Sequence, residues 1–150
     1  MHDIESQAVD SPSEYVANQA QRYVASDGSD VEHPFADNLI ILYVRGRRSG
    51  RIRRVPLVSV RDGGNLLIVG SKGGAASHPA WYSNLAADPN VWVRDKAEFH
   101  AATAVTLEGE ERSAAWSKLV AAMPFFGEYE RKTDRVMPVI RLVPDGNLEP

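Results

Sequence analysis

Six arginines occupy the ten residues from 45 to 54: Arg45, Arg47, Arg48, Arg51, Arg53 and Arg54. Gly46, Ser49 and Gly50 lie among them, and glycines let backbone N–H groups approach an anion closely. Guanidinium groups bind phosphate and carboxylate through forked pairs of donors. Because the whole chain has a formal net charge of −3, the cluster indicates a site for one anionic ligand rather than affinity for polyanions in general. By itself, the segment is also compatible with a solvated hairpin tip.

Two further segments have compositions suited to binding. The stretch 70–74 places Ser71 and Lys72 among glycines after an apolar run, where they could contact an anion or the edge of a flat ring, although it lacks the residue order of a P-loop. The stretch 78–85 offers the ring faces of Trp81 and Tyr82 and the amide of Asn84. Trp81 and Leu85, four residues apart, are equally compatible with a helix face packed in the core.

The sequence lacks the residue patterns that other kinds of catalysis and metal binding require. The chain has no cysteine, which excludes thiol catalysis, thiolate metal sites and disulfides. The four histidines (His2, His33, His78 and His100) show no metal-ligand spacing, so no metal site is predicted. Ser71 lacks a nucleophile elbow because position 69 is valine. Nucleic-acid binding competes for the arginines, but an isoelectric point near 5.8 and acidic flanks disfavour it.

Composition predicts one soluble domain. The 150 residues are 43% hydrophobic and 25% charged, as in ordinary globular proteins. The longest apolar run, residues 39 to 44, is far shorter than the ~20 residues that span a bilayer. The first five residues are polar and acidic, unlike a signal peptide, so we expect a cytoplasmic location.

The apolar spacing predicts a mainly β domain over residues 12–150, preceded by a flexible terminus over residues 1–11. Predicted helices cover Pro12 to Ala25, His78 to Ala87 and Gly109 to Met123. Predicted strands cover Asn38 to Arg45, Arg54 to Arg61, Leu66 to Val69, Asn90 to Lys96, Glu98 to Leu107 and Met137 to Val143. We expect the first three strands to form a meander. About six antiparallel strands with few helices favour a small barrel of the α+β class. The first helix is expected to pack on the domain, and a peripheral membrane contact is left open.

The three segments together resemble the deazaflavin-dependent nitroreductase family, whose members use coenzyme F420 and include F420H2-dependent quinone reductases. The likeness rests on Gly46-Arg47-Arg48-Ser49-Gly50-x-x-Arg53-x-x-Pro56-Leu57, on Gly70-Ser71-Lys72-Gly73-Gly74, and on His78-Pro79-Ala80-Trp81-Tyr82-x-Asn84-Leu85. It continues to Phe125-x-x-x-Tyr129-x-x-Lys132-Thr133-Asp134-Arg135 and so covers about residues 15 to 144. The resemblance implies a split β-barrel of the flavin-reductase type and a ligand that joins a flat ring to an anionic tail.

By position, the resemblance also assigns residues to the cofactor F420. Those expected to hold the phosphate and flank the ring are Arg47, Arg48, Ser49, Arg53, Arg54, Val55, Pro56, Leu57 and Val58. Those expected along the deazaflavin edge are Val69, Gly70, Ser71 and Lys72, and those completing the pocket are Ala80, Trp81, Tyr82, Ser83 and Asn84. Arg45, Arg51 and Arg54 could equally be ordinary solvated charge.

The substrate side is expected at Met123, Phe126 and Tyr129, where a nitroimidazole-activating member of the family has tyrosines. The loss of two hydroxyls disfavours nitroimidazole activation and leaves a quinone-like or other activated planar acceptor. Because the reduced ring itself donates the hydride, no protein nucleophile is required. Ser71, Tyr129 or water would then donate a hydrogen bond or proton to the acceptor. The alternative is a non-catalytic carrier or sensor of F420 or a flavin; the oligomeric state and the choice between F420 and FMN are left open.

Overall fold

A computed structural model of the chain describes residues 2–31, 33–74 and 77–145. The α-helices are α1 His2–Gln7, α2 Glu14–Ala25, α3 Ala80–Ala87, α4 Gly109–Ala122 and α5 Phe125–Glu130, and short 3-10 helices cover Ala36–Asn38 and Lys72–Gly74. The strands are β1 Leu39–Arg45, β2 Ile52–Val58, β3 Val60–Asp62, β4 Asn65–Val69, β5 Asn90–Asp95, β6 Glu98–Thr106 and β7 Val139–Pro144. They form one antiparallel sheet in the order β2-β1-β5-β6-β7-β4-β3, curled into a half-barrel, which confirms the predicted fold class.

Strand β1 is buried on both faces, as its continuous apolar run predicts. Ile40, Leu42 and Val44 point into the interior of the half-barrel. Leu39, Ile41 and Tyr43 belong to a second cluster on the outer face, together with residues of α1 and α2. Successive residues of a strand point to opposite faces, so a strand covered on both sides must be apolar at every position.

A single residue, Ser59, joins the two edge strands of the sheet. The stretch predicted as one strand from Arg54 to Arg61 divides there, because β2 pairs with β1 whereas β3 pairs with β4. The other neighbour of β4 is β7, so the predicted three-stranded meander is wrong and the sheet has seven strands, not six. The Ser59 N–H and hydroxyl donate to the carbonyl oxygen of Asn38 at 2.8 and 3.0 Å. These bonds satisfy a buried polar residue at the bend.

The N-terminal arm, residues 8–12, lies along the outer edge of β2. The Val9 N–H donates to the Ile52 carbonyl at 2.8 Å, and the Arg54 N–H donates to the Val9 carbonyl at 3.1 Å. Within α1, Glu5 forms a 2.8 Å ion pair with Arg94. For residues 5–10 the structure thus shows contacts that their polar composition did not indicate. The arm supplies backbone partners to an edge strand that would otherwise present unpaired groups.

Helices α4 and α5 cover the outer face of β4 and β7. Leu119, Met123 and Phe126 form a buried cluster there with Leu67 and Val139. Helix α4 begins at the predicted Gly109, but α5 was not predicted because its six residues are too few to show a periodicity.

The first long helix differs slightly from its predicted start. Helix α2 begins at Glu14, and Ser13 rather than Ser11 caps it by accepting a hydrogen bond from the Val16 N–H at 3.4 Å. Over the described ranges, none of the helices combines the length and the hydropathy that a bilayer crossing requires.

Candidate functional site

The arginine cluster spans the turn between β1 and β2 and the strand ends on either side of it. In the part of the chain that the structure describes, some of its arginines are paired with a carboxylate and the others are not. Arg45 donates to the Gly50 carbonyl at 3.0 Å and lies 3.8 Å from an oxygen of Asp88. Arg54 is half-buried and contacts Asp10 of the N-terminal arm at 2.5 Å. The remaining four have no carboxylate within 4.0 Å among the described residues: Arg47, Arg48, Arg51 and Arg53. The paired arginines therefore stabilise the fold, and the unpaired ones remain available to an anionic ligand.

Helix α3 holds the arginine turn in place. The side-chain carbonyl of Asn84 accepts a hydrogen bond from the Arg47 N–H at 3.1 Å. Between the turn and the helix lies a cleft of about 390 Å³, called the arginine cleft here. Its lining residues are Pro12, Gly46, Arg47, Arg48, Ser49, Arg53, Ala80 and Asn84. Four of the predicted phosphate ligands and the predicted amide thus lie around one opening.

A smaller cleft of about 200 Å³ adjoins the arginine cleft and shares Pro12, Arg53, Ala80 and Asn84 with it. The N-terminal arm forms one wall, and Val55 and Trp81 form another. Arg54 also borders this cleft, but its guanidinium group binds Asp10. Burial alone would lower the pKa of Arg54, yet the hydrogen bond and charge of Asp10, together with the contact to Tyr43, outweigh burial and raise it. We therefore assign Arg54 to the attachment of the arm. Its side chain is only 12% exposed, so Arg54 is not the ordinary solvated charge of the alternative interpretation.

Arg135 fixes the loop that follows β4. Its guanidinium group donates to the carbonyl oxygens of Gly70 at 2.8 Å and Ser71 at 2.7 Å, and lies 2.7 Å from Nδ1 of His78. Burial, and then the positive charge of Arg135, lower the pKa of His78 below its ordinary value. The exposed Lys72 lies at the start of the following 3-10 helix, with Nζ 3.4 Å from the Ser77 hydroxyl. The position of this loop and of the Ser71 backbone thus depends on Arg135, for which the sequence indicated no specific role.

An apolar cleft of about 610 Å³, called the acceptor cleft here, opens where β2 and β4 end. Seven of its lining residues are predicted site residues: Pro56, Leu57, Val58, Val69, Ser71, Phe126 and Tyr129. Six others were not predicted: Gln19, His33, Pro34, Phe35, Leu39 and Phe125. Most of the unpredicted residues come from α2 and the loop before β1. No motif in that loop signals a site, and only the long-range packing of the fold brings it there.

Aromatic rings form one wall of the acceptor cleft. The ring of Phe125 lies 5.2 Å from that of Phe35, 4.4 Å from that of Phe126 and 5.4 Å from that of Tyr129, measured between centroids. Tilted and edge-to-face contacts at these distances are favourable beyond the area they bury. The wall is therefore a packed surface against which a planar molecule can lie.

Several predicted residues lie away from these clefts. Met123 is buried beneath α4 and α5 and contributes to the core, so the structure does not place it on the substrate side with Phe126 and Tyr129. Tyr82 packs against the interior cluster. Trp81 also packs there, as expected if this helix face lies in the core, but it borders the smaller cleft as well. Ser83 is half-buried on α3 and lines none of the three clefts.

Comparison with known proteins identifies the family. A family model described as F420H(2)-dependent quinone reductase matches residues 15–144. The chain belongs to this family. Two Mycobacterium tuberculosis (strain H37Rv) proteins named for the same reductase are similar: Rv3178 is 32% identical over 70% of this chain and 88% of its own length, and Rv1261c is 30% identical over 73% and 75%.

Solved structures agree with this assignment. The F420-H2 dependent reductase FDR-A is 42% identical, with a TM-score of 0.66 over 70% of this chain and 93% of its own. A domain-swapped dimer is 38% identical, with a TM-score of 0.68 over 88% and 99%. A heme binding protein from Mycobacterium smegmatis, 20% identical with a TM-score of 0.56, shares the fold alone. The predicted family, its cofactor and its reductase activity are confirmed at the level of the family.

The donors present fit a deazaflavin with an anionic tail. The arginine cleft offers unpaired guanidinium groups, and a Cβ added at Gly46 would lie only 2.9 Å from the Ser49 hydroxyl and 3.3 Å from the Arg51 carbonyl. A larger residue at this position would therefore require the Ser49 side chain to move and the turn backbone to shift slightly. Pro56, Leu57 and Val58 provide an apolar surface farther along the same strand. Within the described residues, no cluster of potential metal ligands is present.

Proposed function

We propose that this chain is an F420H2-dependent reductase of a quinone-like acceptor, with the cofactor lying along β2. The supporting observation is the order of residues on that strand. Arg53 borders the arginine cleft, Val55 borders the smaller cleft, and Leu57 borders the acceptor cleft. At about 3.3 Å per residue, the four steps from Arg53 to Leu57 span roughly 13 Å. One elongated molecule with an anion at one end and a ring at the other can therefore contact all three clefts.

The arginine cleft and the acceptor cleft have different roles in this proposal. Arg47, Arg48 and Arg53 bind the anionic tail through charged hydrogen bonds. Leu57 and Val58 exclude water from one side of the ring, and removal of water strengthens the polar interactions that remain. Reduced F420, when bound, supplies a hydride. The chain therefore has to orient the two reactants and stabilise charge on the acceptor.

Ser71 and Tyr129 are proposed to donate hydrogen bonds to the acceptor oxygen. Both line the acceptor cleft. Arg135 holds the Ser71 backbone, and Phe125 packs against the Tyr129 ring, so the backbone of Ser71 and the ring of Tyr129 are held in place at the cleft. Donors placed in advance where negative charge develops are the main contribution that a protein can make to hydride transfer.

The aromatic wall favours planar, apolar acceptors. Phe125 and Phe126 present rings without hydroxyl groups next to Tyr129. A quinone has two flat faces for these rings and carbonyl oxygens for the few polar side chains. Nitro compounds are a second acceptor class in the proposal, and nitroimidazoles, which need more polar contacts, are expected to react more slowly.

The test is a titration followed by turnover. Purified protein is titrated with F420 while the cofactor fluorescence is measured, and F420H2 is then mixed with menadione and with nitroaromatic compounds. Saturable binding at micromolar concentrations and quinone-dependent oxidation of F420H2 are expected. Absence of binding would refute the proposal, whereas binding without oxidation by any acceptor would indicate a carrier or sensor.

Cellular location and membrane contact stay predictions. Tyr15 on α2 is 72% exposed, so it is available for a peripheral contact with lipid headgroups. Co-sedimentation of the protein with anionic phospholipid vesicles, and its reduction by the Y15A variant, would test this. A protein that stays in the supernatant at low salt would contradict the membrane contact.

A further inference from the structure

His33 lies in the loop before β1 and lines the acceptor cleft, half-buried, although its position in the sequence gives it no motif. Its Nδ1 accepts a hydrogen bond from the Phe35 N–H at 3.0 Å. Pro34, the next residue, restricts the backbone of His33 to extended conformations. The imidazole is therefore held by its own loop in one orientation.

The hydrogen bond from Phe35 determines which ring nitrogen carries the proton. A neutral imidazole has one donor nitrogen and one acceptor nitrogen. Since Nδ1 accepts, the neutral ring carries its proton on Nε2. Among the described residues, no hydrogen-bond partner is found for Nε2. The ring thus presents an unused N–H donor at the cleft.

Ring contacts connect His33 to the aromatic wall. Its ring lies 6.0 Å from Phe35, which lies 5.2 Å from Phe125, which in turn lies 5.4 Å from Tyr129. The loop therefore packs against α5, and His33 shares one opening with the two hydroxyls already proposed to contact the acceptor.

Polar side chains are few in the acceptor cleft. Its lining includes no Asp, Glu, Lys or Arg among the described residues; the polar side chains are Gln19, His33, Ser71 and Tyr129. Negative charge that develops in a mainly apolar cleft must be stabilised chiefly by the hydrogen-bond donors that line it. The cations found nearby are Lys132, 5.6 Å from the centroid of the Tyr129 ring, and Arg135, bound to the Ser71 carbonyl, and neither lines the cleft.

We propose that His33, as a neutral imidazole, donates its Nε2–H to the acceptor oxygen and stabilises the anion formed by hydride transfer. This inference rests on the proposed function. The hydride adds two electrons and one hydrogen nucleus to the quinone, whose oxygen becomes an anion. Solvent then supplies the proton that completes the hydroquinone, and His33 keeps its own proton throughout.

Two substitutions separate the donor role from the role in the loop. In H33N the side-chain oxygen can replace Nδ1 as acceptor for the Phe35 N–H, but the side chain ends short of Nε2. In H33Q the amide N–H₂ reaches about as far as Nε2. We expect kcat for menadione to fall on the order of tenfold in H33N, and by about threefold or less in H33Q, with wild-type affinity for F420 in both. H100N, on β6, is the control and retains wild-type kinetics.

A wild-type rate in H33N would overturn the inference, and so would an equal loss in H33N and H33Q. The second measurement needs no cofactor. In ¹H–¹⁵N spectra of the histidine rings, His33, assigned by its absence from H33N, is expected as the Nε2–H tautomer. Menadione added to the cofactor-free protein should shift the His33 signals and leave those of His100 in place. A doubly protonated ring, or one that menadione leaves unchanged, would overturn the inference.

These outcomes distinguish the inference from the proposed function. If menadione shifts His33 while the protein fails to bind F420, the reductase proposal fails and the acceptor contact stands. If the wild type reduces menadione and H33N does so equally fast, the reductase proposal stands and His33 is only a loop residue.

Discussion

The side-chain carbonyl of Asn84 and the backbone N–H of Arg47 form a 3.1 Å hydrogen bond that joins α3 to the arginine turn. The bond connects two segments 37 residues apart in the chain. It places the unpaired guanidinium groups beside the helix, so the geometry of the arginine cleft depends on an uncharged side chain.

Substitution of Asn84 should weaken cofactor binding through the turn. In N84A the turn loses its hydrogen bond to α3, and we expect F420 to bind about tenfold more weakly with a stability loss of about 1 kcal/mol. N84D is the matched variant, because it keeps the acceptor oxygen but adds a negative charge next to the tail. It should preserve thermal stability and weaken F420 more than N84A does. Equal affinity in all three proteins, measured by fluorescence titration, would contradict this role.

Substitutions of the neighbouring residues Arg53 and Arg54 should affect different properties, F420 affinity for Arg53 and stability for Arg54. R53A removes an unpaired guanidinium group at the arginine cleft, so F420 affinity should fall by about 1 to 3 kcal/mol without a change in melting temperature. R54A removes the half-buried partner of Asp10 and should lower the melting temperature instead. R51A, in the same turn but lining none of the clefts, is the control for lost charge. K72A tests the predicted phosphate contact of the 70–74 loop in the same titration; because Lys72 lines none of the three clefts, K72A should weaken F420 less than R53A does.

The attachment of the N-terminal arm should depend on pH through Asp10. Burial alone raises the pKa of Asp10, but hydrogen bonds from Arg54 and Gln21, together with the positive charge of Arg54, outweigh burial and hold the pKa below the ordinary value of 3.8. The resulting stabilisation is present at pH values above 3.8 and is lost as the pH falls through the lower pKa of the folded state. We expect wild type to be more stable than D10N at neutral pH and the difference to shrink below about pH 4. A difference that is independent of pH in urea unfolding would show that the carboxylate charge is not responsible.

Gly74 fixes the contact between the 70–74 loop and α5. Its φ is 82°, and an added Cβ would lie 2.9 Å from the Tyr129 carbonyl oxygen. G74A should destabilise the fold by more than the ~1 kcal/mol that a positive φ alone costs and should raise KM for menadione by displacing Tyr129. G63A is the matched control: its φ is 64°, but its added Cβ meets nothing within 4 Å. If the two variants lose equal stability, the contact with Tyr129 is not important.

The hydroxyls of Ser71 and Tyr129 should act on the rate and not on cofactor affinity. We expect S71A and Y129F each to lower kcat for menadione by about tenfold, because each removes one donor to the developing anion. S71T keeps a hydroxyl and should retain most of the rate. Y15F changes an exposed tyrosine outside the cleft and should have no effect. Unchanged rates in both S71A and Y129F, measured by F420H2 oxidation, would leave His33 or solvent as the donor.

Local patterns predicted most of the strands, because the spacing of apolar residues in a strand depends on residues close together in the chain. The cofactor segments were identified from local motifs in the same way and stay predictions. The alternating and continuous apolar runs identified β1, β5 and β6, and the turn at Gly63 identified the β3–β4 hairpin. The division at Ser59 was missed because the stretch from Arg54 to Arg61 looks like one strand, and only the pairing partners show the bend.

The acceptor side was harder to predict because it is assembled from distant segments. His33 and Phe35 lie in a polar, turn-rich stretch and meet α5, some 90 residues later, only in the folded protein. Met123 was placed on the substrate side by its position in the family pattern, but the apolar stripe of α4 turns it into the core. Periodicity identifies a buried face and does not say whether that face meets the core or a cleft.

The one-residue link at Ser59 affects how the shape of the acceptor cleft can differ among related proteins. Leu39, Val58 and Val69 line the acceptor cleft at the ends of three strands, and β2 and β3 share no ladder hydrogen bonds across this gap. Insertions or substitutions in the loop before β1 can therefore widen the cleft without breaking a strand pair. The β1–β2 hairpin that presents the arginines is unaffected by such changes. Under the proposed function, related proteins with this fold can thus differ in the compound that they reduce while they bind the hydride donor in the same way.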